Sequence, residues 1–243
     1  MSDTVIIEKK NDITWITIDN PDNGNKVNDA MNLELIAAMD GAADDSRLIV
    51  LQSTGPDFSM GRDGGGKPPH VVAPEAYDMR DFFDTVFNFY DAFRRTPLPV
   101  IGKVQGRASG FGCAMAALCD ITIGADTSSY NVPETEHRIM PTMVMSALID
   151  RLPRKAITFM TYTTDYIDAQ HALSIGLISA IAPEGELDTA LDATIEKVAR
   201  IPDPALRAVK EFATNGIGLP MPQAETYARS LHAMVNSSSK MRK

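Results

Sequence analysis

LPVIGKVQGRASGFGCAMAALCDITIGAD, residues 98–126, is the stretch on which the fold turns. Residues 98–106 form a short apolar run that reads as a buried strand. The small-residue turn RASGFG follows, then a helix of small side chains that ends near Cys119 and Asp120. ITIGAD begins another strand. Strand, turn, helix and strand again predict an α/β chain with a largely parallel sheet. Gly110 and Gly112 sit at the strand-to-helix turn, where a residue without Cβ accepts a left-handed backbone and lets another molecule approach. The helix start beyond them offers unpaired N–H groups and a partial positive charge. Such a turn serves either close packing or a carbonyl oxygen that gains negative charge, and SGFG by itself leaves both readings open.

Toward the N-terminus, TVIIEKK and ITWITID read as two strands joined by a tight turn at KND. NPDNGNKVN is a loop of turn-forming residues. Asn28 or Asp29 caps the next helix, whose Met31, Leu35, Ile36 and Met39 recur at helical spacing. RLIVLQST is a buried strand, and PDFSMGRDGGGKPPHVVAP is a long loop rich in glycine and proline. Residues 74–96 read as a helix with the stripe Phe82, Val86, Phe89, Tyr90 and Phe93. That stripe faces a core or walls an acyl pocket, and the two are compatible.

Toward the C-terminus, TEHRIMPTMVMSALIDRLP continues as helix interrupted before Pro141. IDAQHALSIG is a helix stopped by Gly176, and GLISAIAP is a short apolar run. Leu187, Leu191, Ile195 and Val198 share one helix face, and residues 204–218 and 223–236 hold the last helices. The polar tail SSSKMRK reads as frayed.

Composition narrows the function. The chain has 243 residues, 44% hydrophobic and 23% charged, which suffices for a sizeable core. Its formal net charge of -9 disfavours general nucleic-acid binding but permits a local basic pocket for one phosphorylated group. Cys113 and Cys119 lack the partners of a four-ligand zinc site and read as buried, reduced thiols. MSDTVIIEKK lacks the pattern of a signal peptide, and no run approaches about 18 apolar residues. The expectation is a cytoplasmic protein with no membrane span and no metal.

Two further segments carry candidate chemistry. FSMGRDGGG, residues 58–66, follows a strand and is either a surface loop or a second source of exposed N–H groups. Two such turns at one rim of a parallel sheet would make a two-donor oxyanion hole. In YNVPETEH, residues 130–137, Glu134 is either a solvated acid at a helix start or a base for a proton beside a thioester carbonyl. Apolar surroundings would raise its pKa, and a helix start would lower it. Glu136 and His137 are neighbours expected to face other ways.

In order and spacing, these segments resemble the enoyl-CoA hydratase/isomerase (crotonase) superfamily over nearly the whole chain. IDNPDNGNKVNDAM is similar to its Asn-Pro…Asn-Ala-Leu segment, and FSMGRD to its Phe-x-x-Gly-x-Asp oxyanion motif. PVIGKVQGRASGFGCAMAALCDITIGAD resembles its second oxyanion segment, and YNVPETEHRIMP its Pro-Glu segment. YIDAQHALSIGLISAIAPEGEL resembles its Ala-x-x-Ala-x-x-x-Gly-Leu segment. The resemblance implies a spiral of ββα units at residues 1–190 with an acyl-CoA site, and a helical trimerisation region at 191–243. It implies an acyl-CoA thioester substrate, no cofactor beyond that CoA moiety, and a homotrimer or hexamer. It gives Glu134 the acid/base role and the main-chain N–H groups of Arg62 and Phe111 the oxyanion role. Lys26, Gly61, Asp63, Gly64, Gly110 and Pro133 would bind substrate or CoA, with Lys26 near the adenine.

Three departures bear on the reaction. Ala114 stands where hydratases of the family carry a second glutamate. Water addition is helped by two carboxylates, whereas moving a proton between carbons needs one, so an enoyl-CoA isomerase is favoured over a hydratase. Phe111 replaces a glycine, and its side chain would narrow the pocket. Arg62 and Gly64, Gly65 and Gly66 replace a small residue and a following basic one, and the C-terminus is short. Lys67, Lys240 and Lys243 are candidate phosphate partners. A hydrolase, decarboxylase or lyase would lean on Asp63, His70, Glu136, His137 or Tyr130, and a non-catalytic acyl-CoA binder is the third reading.

Overall fold

The computed structural model describes residues 4–64 and 83–242. Strands β1 (Val5–Lys10) and β2 (Ile13–Ile18) pair antiparallel, with Lys10 opposite Ile13. Asn11 and Asp12 between them both have positive φ, 53° and 60°, the backbone of a two-residue hairpin turn that Asn and Asp tolerate. Helix α1 (Asp29–Ala42) then leads to β3 (Leu48–Ser53), parallel to β2. Of the two candidate caps, Asn28 serves: its side chain accepts from Met31 N at 3.0 Å.

The later units repeat one theme. Strand β4 (Val100–Val104) joins the large sheet, β5 (Arg107–Ser109) joins a small one, and helix α3 (Phe111–Leu118) follows. Strands β6 (Ile121–Ala125) and β7 (Ser129–Asn131) divide between the same two sheets, and helix α4 (Thr142–Leu148) comes next. The run read as one strand over residues 98–106 therefore leaves the large sheet before its end. Gly106, at φ 56°, makes that corner, and a Cβ there would lie 1.9 Å from the Pro56 carbonyl.

Helix α2 (Asp84–Arg95) precedes β4, and the expected helical residues 74–82 lie outside the described residues. After α4 come α5 (Arg154–Thr163), the two-residue β8 (Ile167–Asp168), α6 (Ala169–Ser174) and β9 (Ala180–Ala182). Helices α7 (Leu187–Ala199), α8 (Asp203–Asn215) and α9 (Met221–Ser237) close the described chain. The large sheet runs β1-β2-β3-β4-β6-β9, parallel beyond the first pair, and the small one runs β5-β7-β8.

Period-two alternation divides the core. Ile49 and Leu51 face one cluster with α1, α2 and α3, while Leu48 and Val50 face another with Leu187, Leu191, Ile195 and Val198 of α7. Helix α7 thus spans residue 190 and packs on the sheet. Every residue of α3 is buried, so its alanines and Gly112 serve close packing on all sides.

Two expectations need correction. The helix expected from residue 135 begins only at Thr142. Residues 134–138 form a turn in which Arg138 is left-handed, at φ 58°, and the Ile139 N–H donates to the Glu134 carbonyl at 2.8 Å. The tail is also more ordered than its composition suggests. A 3-10 turn at Ser239–Met241 is capped by the Ser238 side chain, and Lys240 Nζ lies 3.6 Å from Asp203.

A buried ion pair fastens α8 to this frame. Lys210 Nζ donates to both carboxylate oxygens of Asp120 and to the Phe93 carbonyl, each at 2.7 Å. Asp120 also accepts from Val100 N at 2.8 Å. Burial pulls the Lys210 pKa down while the Asp120 charge resists. Lys210→Met leaves Asp120 enclosed without its cation, and denaturant unfolding is expected to show a loss of about 3–5 kcal/mol. A loss below about 1 kcal/mol would refute this account of the pair.

Candidate active site

The first candidate oxyanion segment is held by the chain on both sides. Phe58 N donates to Gln105 O at 2.9 Å, Ser59 N to Arg107 O at 3.2 Å, and Ser109 N back to Ser59 O at 2.9 Å. On the other side Val27 N donates to Gly61 O at 3.0 Å, and Asp63 N to Val27 O at 2.9 Å. In this parallel bridge the intervening Arg62 N–H points away from Val27, and it meets no acceptor among the described residues. Gly61 allows the turn with φ 106°.

Asn25 supports the segment from behind. It is fully buried and left-handed at φ 52°. Its Nδ2 donates to Thr54 O at 2.7 Å and Asp57 O at 2.8 Å, and Ser59 Oγ donates to its carbonyl at 2.9 Å. Sequence reading passed over Asn25 and Ser59. The only signal was an asparagine amid turn residues, since asparagine adopts this backbone more readily than most residues.

The second segment meets the first at close range. Phe111 opens α3, so its N–H has no acceptor within the helix. A Cβ on Gly112 would lie 2.2 Å from the Ser59 carbonyl, and one on Gly61 would lie 3.4 Å from Ser109 O. The two chains therefore pack backbone to backbone.

Strand pairing then delivers the carboxylate. Strands β5 and β7 run parallel with Ser109 opposite Asn131, and Gly110 N donates to Asn131 O at 3.0 Å. Three residues past Asn131, Glu134 returns to Gly110: a Cβ there would lie 2.6 Å from Glu134 Oε1 and 3.7 Å from Pro133 Cδ. Gly110 has φ 51° and ψ −112°, which only glycine adopts without strain.

Glu134 is half-buried, and its Oε2 is buried without a hydrogen-bond partner. Desolvation raises its pKa above the ordinary carboxylate value, against the weaker pull of its own main-chain N–H and of His137. Apolar enclosure outweighs these pulls, and Glu134 heads no helix of its own. Glu136 and His137 are exposed.

The departures also find their places. The Phe111 ring stacks on Phe89 at 5.2 Å and lies 5.6 Å from the Tyr90 ring. It is 3% exposed, so it continues the α2 stripe up to the site. Ala114 is fully buried one turn along α3. The Arg62 guanidinium pairs with Asp29 at the start of α1. Asp63 accepts from Asn23 Nδ2 at 3.0 Å, Lys26 is half-buried on the adjoining loop, and Gly64 is exposed. Tyr130 shares a 3.0 Å hydrogen bond with Ser128 in the core, and Lys240 pairs with Asp203 rather than facing the site. Gly65, Gly66, Lys67, His70, Phe82 and Lys243 lie outside the described residues.

An unpaired N–H at the start of α3 beside a desolvated carboxylate, with a second on the segment packed against it, is suited to holding an oxyanion and moving a nearby proton. The sequence profile described as Enoyl-CoA hydratase/isomerase matches residues 8–243. The chain belongs to the enoyl-CoA hydratase/isomerase family. Human mitochondrial enoyl-CoA hydratase domain-containing protein 3 is 30% identical over 225 residues, 91% of this chain and 72% of that one. A probable enoyl-CoA hydratase of Rhodobacter capsulatus is 28% identical over 240 residues, 98% of this chain and 92% of its own.

Among solved structures, the human protein of the same name superposes with a TM-score of 0.89 at 26% identity, over 98% of this chain and 93% of that chain. An enoyl-CoA hydratase from Mycobacterium smegmatis gives 0.90 at 23% identity, over 98% and 93%, a likeness of fold. These matches establish the crotonase-like α/β fold of this family member.

Two outcomes follow from the packing. Gly112→Ala drives a methyl group into the Ser59 carbonyl, so turnover of an acyl-CoA substrate should fall at least about 100-fold as the donors part. Unchanged kinetics would show that the segments are not coupled. Glu134→Gln should stabilise the protein at neutral pH by about 1 kcal/mol, because a charged, unpaired oxygen is removed from an enclosed site. The sign follows from the raised pKa: the contribution of neutral Glu134 is full below about 4.5 and is lost as pH rises through the higher folded value. Thermal melts across pH should show this component in the wild type and not in the variant.

Proposed function

We propose that the protein binds an acyl-CoA thioester, holds its carbonyl oxygen on the main-chain N–H groups of Arg62 and Phe111, and transfers a proton through Glu134. The observation that carries this reading is the contact of the Glu134 carboxylate with Gly110, immediately before the Phe111 N–H. As the α-proton leaves, charge grows on the thioester oxygen, where preorganised donors act most strongly. Gly61, Asp63, Gly64, Gly110 and Pro133 line the substrate path, and Lys26 meets the adenine end of CoA. A putative enoyl-CoA hydratase from Thermobifida fusca, of similar fold, was solved in complex with CoA.

The favoured reaction is isomerisation of an enoyl-CoA. Ala114, which by resemblance stands where the family's hydratases carry the second carboxylate, is fully buried, and this leaves one base to take a proton at one carbon and return it at another. Hydration is the second reading, favoured by the names of the relatives. The exposure of Glu136 and His137 and the core bond of Tyr130 weigh against hydrolase, decarboxylase or lyase chemistry through those groups.

Among the described residues no helix is long and apolar enough to cross a membrane. We place the protein in the cytoplasm, where the buried Cys113 and Cys119 stay reduced. The apolar groove of α8 and α9, with Val209 and Ile217 exposed along it, supports assembly of copies into a trimer or hexamer.

Glu134→Ala tests the role of the base. Turnover of enoyl-CoA isomers should fall about 1,000-fold or more while acyl-CoA affinity holds within about threefold. A loss smaller than about tenfold would remove Glu134 from the mechanism. Isomerisation and water addition, followed separately, decide the reaction. Ala114→Glu should raise water addition relative to isomerisation, and a wild type that already hydrates faster than it isomerises reverses the preference.

A further inference from the structure

Glu134 is placed by the chain that carries it. Its Oε2 meets no hydrogen-bond partner among the described residues, and no helix holds residues 132–138. The turn closes on itself through the bonds from His137 N and Ile139 N to the Glu134 carbonyl, at 3.1 and 2.8 Å. Those bonds shape the turn but do not fix it to the rest of the molecule. The contact of the carboxylate with Gly110 therefore depends on how the chain is anchored on either side of Glu134.

Two side chains make that anchorage. Asn131, three residues before Glu134, is 4% exposed. Its Nδ2 donates to the Thr164 carbonyl at 3.0 Å, while its own carbonyl accepts from Gly110 N at 3.0 Å. Thr135, the residue after Glu134, donates from Oγ1 to the Thr161 carbonyl at 2.9 Å. Both acceptors belong to the end of α5. Thr161 lies in its last turn, where carbonyls lack partners within the helix, and Thr164 is its left-handed cap at φ 59°. That end is itself secured. Ile157, Met160 and Thr161 are buried, and β8, which follows, pairs with β7 as far as Tyr130 opposite Ile167. Asn131 takes up the contact where this ladder stops.

We propose that Asn131 and Thr135 are positioning residues for the proton transfer: anchored on the end of α5 from both sides of Glu134, they hold its carboxylate against Gly110, beside the Phe111 N–H. This rests on the acyl-CoA reading of the site. Asn131 has the larger share, because the same residue binds α5 through its side chain and the oxyanion turn through its main chain. Displacing a base by about 1 Å costs about 100-fold in rate, since the reacting atoms lose their approach geometry while the substrate still binds. A bond that served stability alone would, when cut, lower the folded fraction and leave the kinetics of the folded molecules intact.

The test separates kcat from binding. Wild type, Asn131→Ala, Thr135→Val and Thr135→Ser are assayed on enoyl-CoA isomers across pH, and a saturated acyl-CoA is titrated calorimetrically into each. Asn131→Ala leaves the main-chain bond to Gly110 in place and should lower kcat about 100-fold, and Thr135→Val about tenfold, with acyl-CoA affinity within about threefold of the wild type. Thr135→Ser keeps the hydroxyl and should recover most of the Thr135→Val loss. In Asn131→Ala and Thr135→Val the acid limb of log kcat should move to lower pH, because a carboxylate that leaves its enclosure regains water and loses the desolvation that raises its pKa. If Asn131→Ala does not fold, the two variants of the exposed Thr135 decide the question. A kcat within about twofold of the wild type in Thr135→Val or in folded Asn131→Ala overturns the proposal. So does a loss of kcat matched by an equal loss of affinity, or one with the acid limb unmoved. These results leave the acyl-CoA reading standing, whereas a wild type that neither binds nor turns over any CoA ester overturns that reading and the proposal with it.

Discussion

The parallel pairing of β5 with β7, extended by the hydrogen bond from Gly110 to Asn131, is the contact from which the site is built. It sets the end of one strand, where α3 begins, beside the end of another, where the chain turns back at Glu134. Gly110 makes the approach possible because any side chain there would occupy the place of the carboxylate. Ser59 joins the same assembly from the opposite side through its bonds to Arg107 and Ser109. Three segments distant in sequence thus converge through main-chain hydrogen bonds. Main-chain geometry is stiffer than a set of side-chain contacts, which suits a site that must hold two N–H groups at fixed spacing.

Glu134 illustrates how such a site departs from the rules that stabilise the rest of the molecule. Most buried polar groups here are answered: Asn25 by two carbonyls, Asp57 by Arg107, and Lys210 by Asp120 and a carbonyl. Glu134 Oε2 is not. The same desolvation that opposes folding raises its affinity for protons toward the range useful to a general base. The turn at residues 134–138 gives Glu134 no helix of its own and folds its carboxylate back against Gly110.

The surrounding frame distributes stability away from the reacting groups. The large sheet is covered on both faces, by α1 to α3 on one and α7 on the other. Lys210 ties α8 to the junction of β4, α2 and the end of α3. This rigid backing leaves the rim of the sheet free for short strands, glycine corners and unpaired N–H groups.

Local rules determined much of this in advance. The hairpin at Asn11 and Asp12, the cap at Asn28, the alternation through β3 and the stripe of α7 follow from backbone preference and hydrophobic period, which act over a few residues. The same rules placed glycine turns at strand ends and marked Glu134 as a candidate, and family resemblance assigned their roles. Tertiary structure alone decided how these pieces meet. The corner at Gly106, the turn that replaced a helix start after Pro133, the clamp by Asn25 and Ser59, and the bond from Lys210 to Asp120 depend on neighbours between about 20 and 90 positions away. A sequence shows that a group can form a hydrogen bond, but only the packed chain shows whether a partner lies within reach, because desolvation and distance are properties of the enclosure and not of the residue.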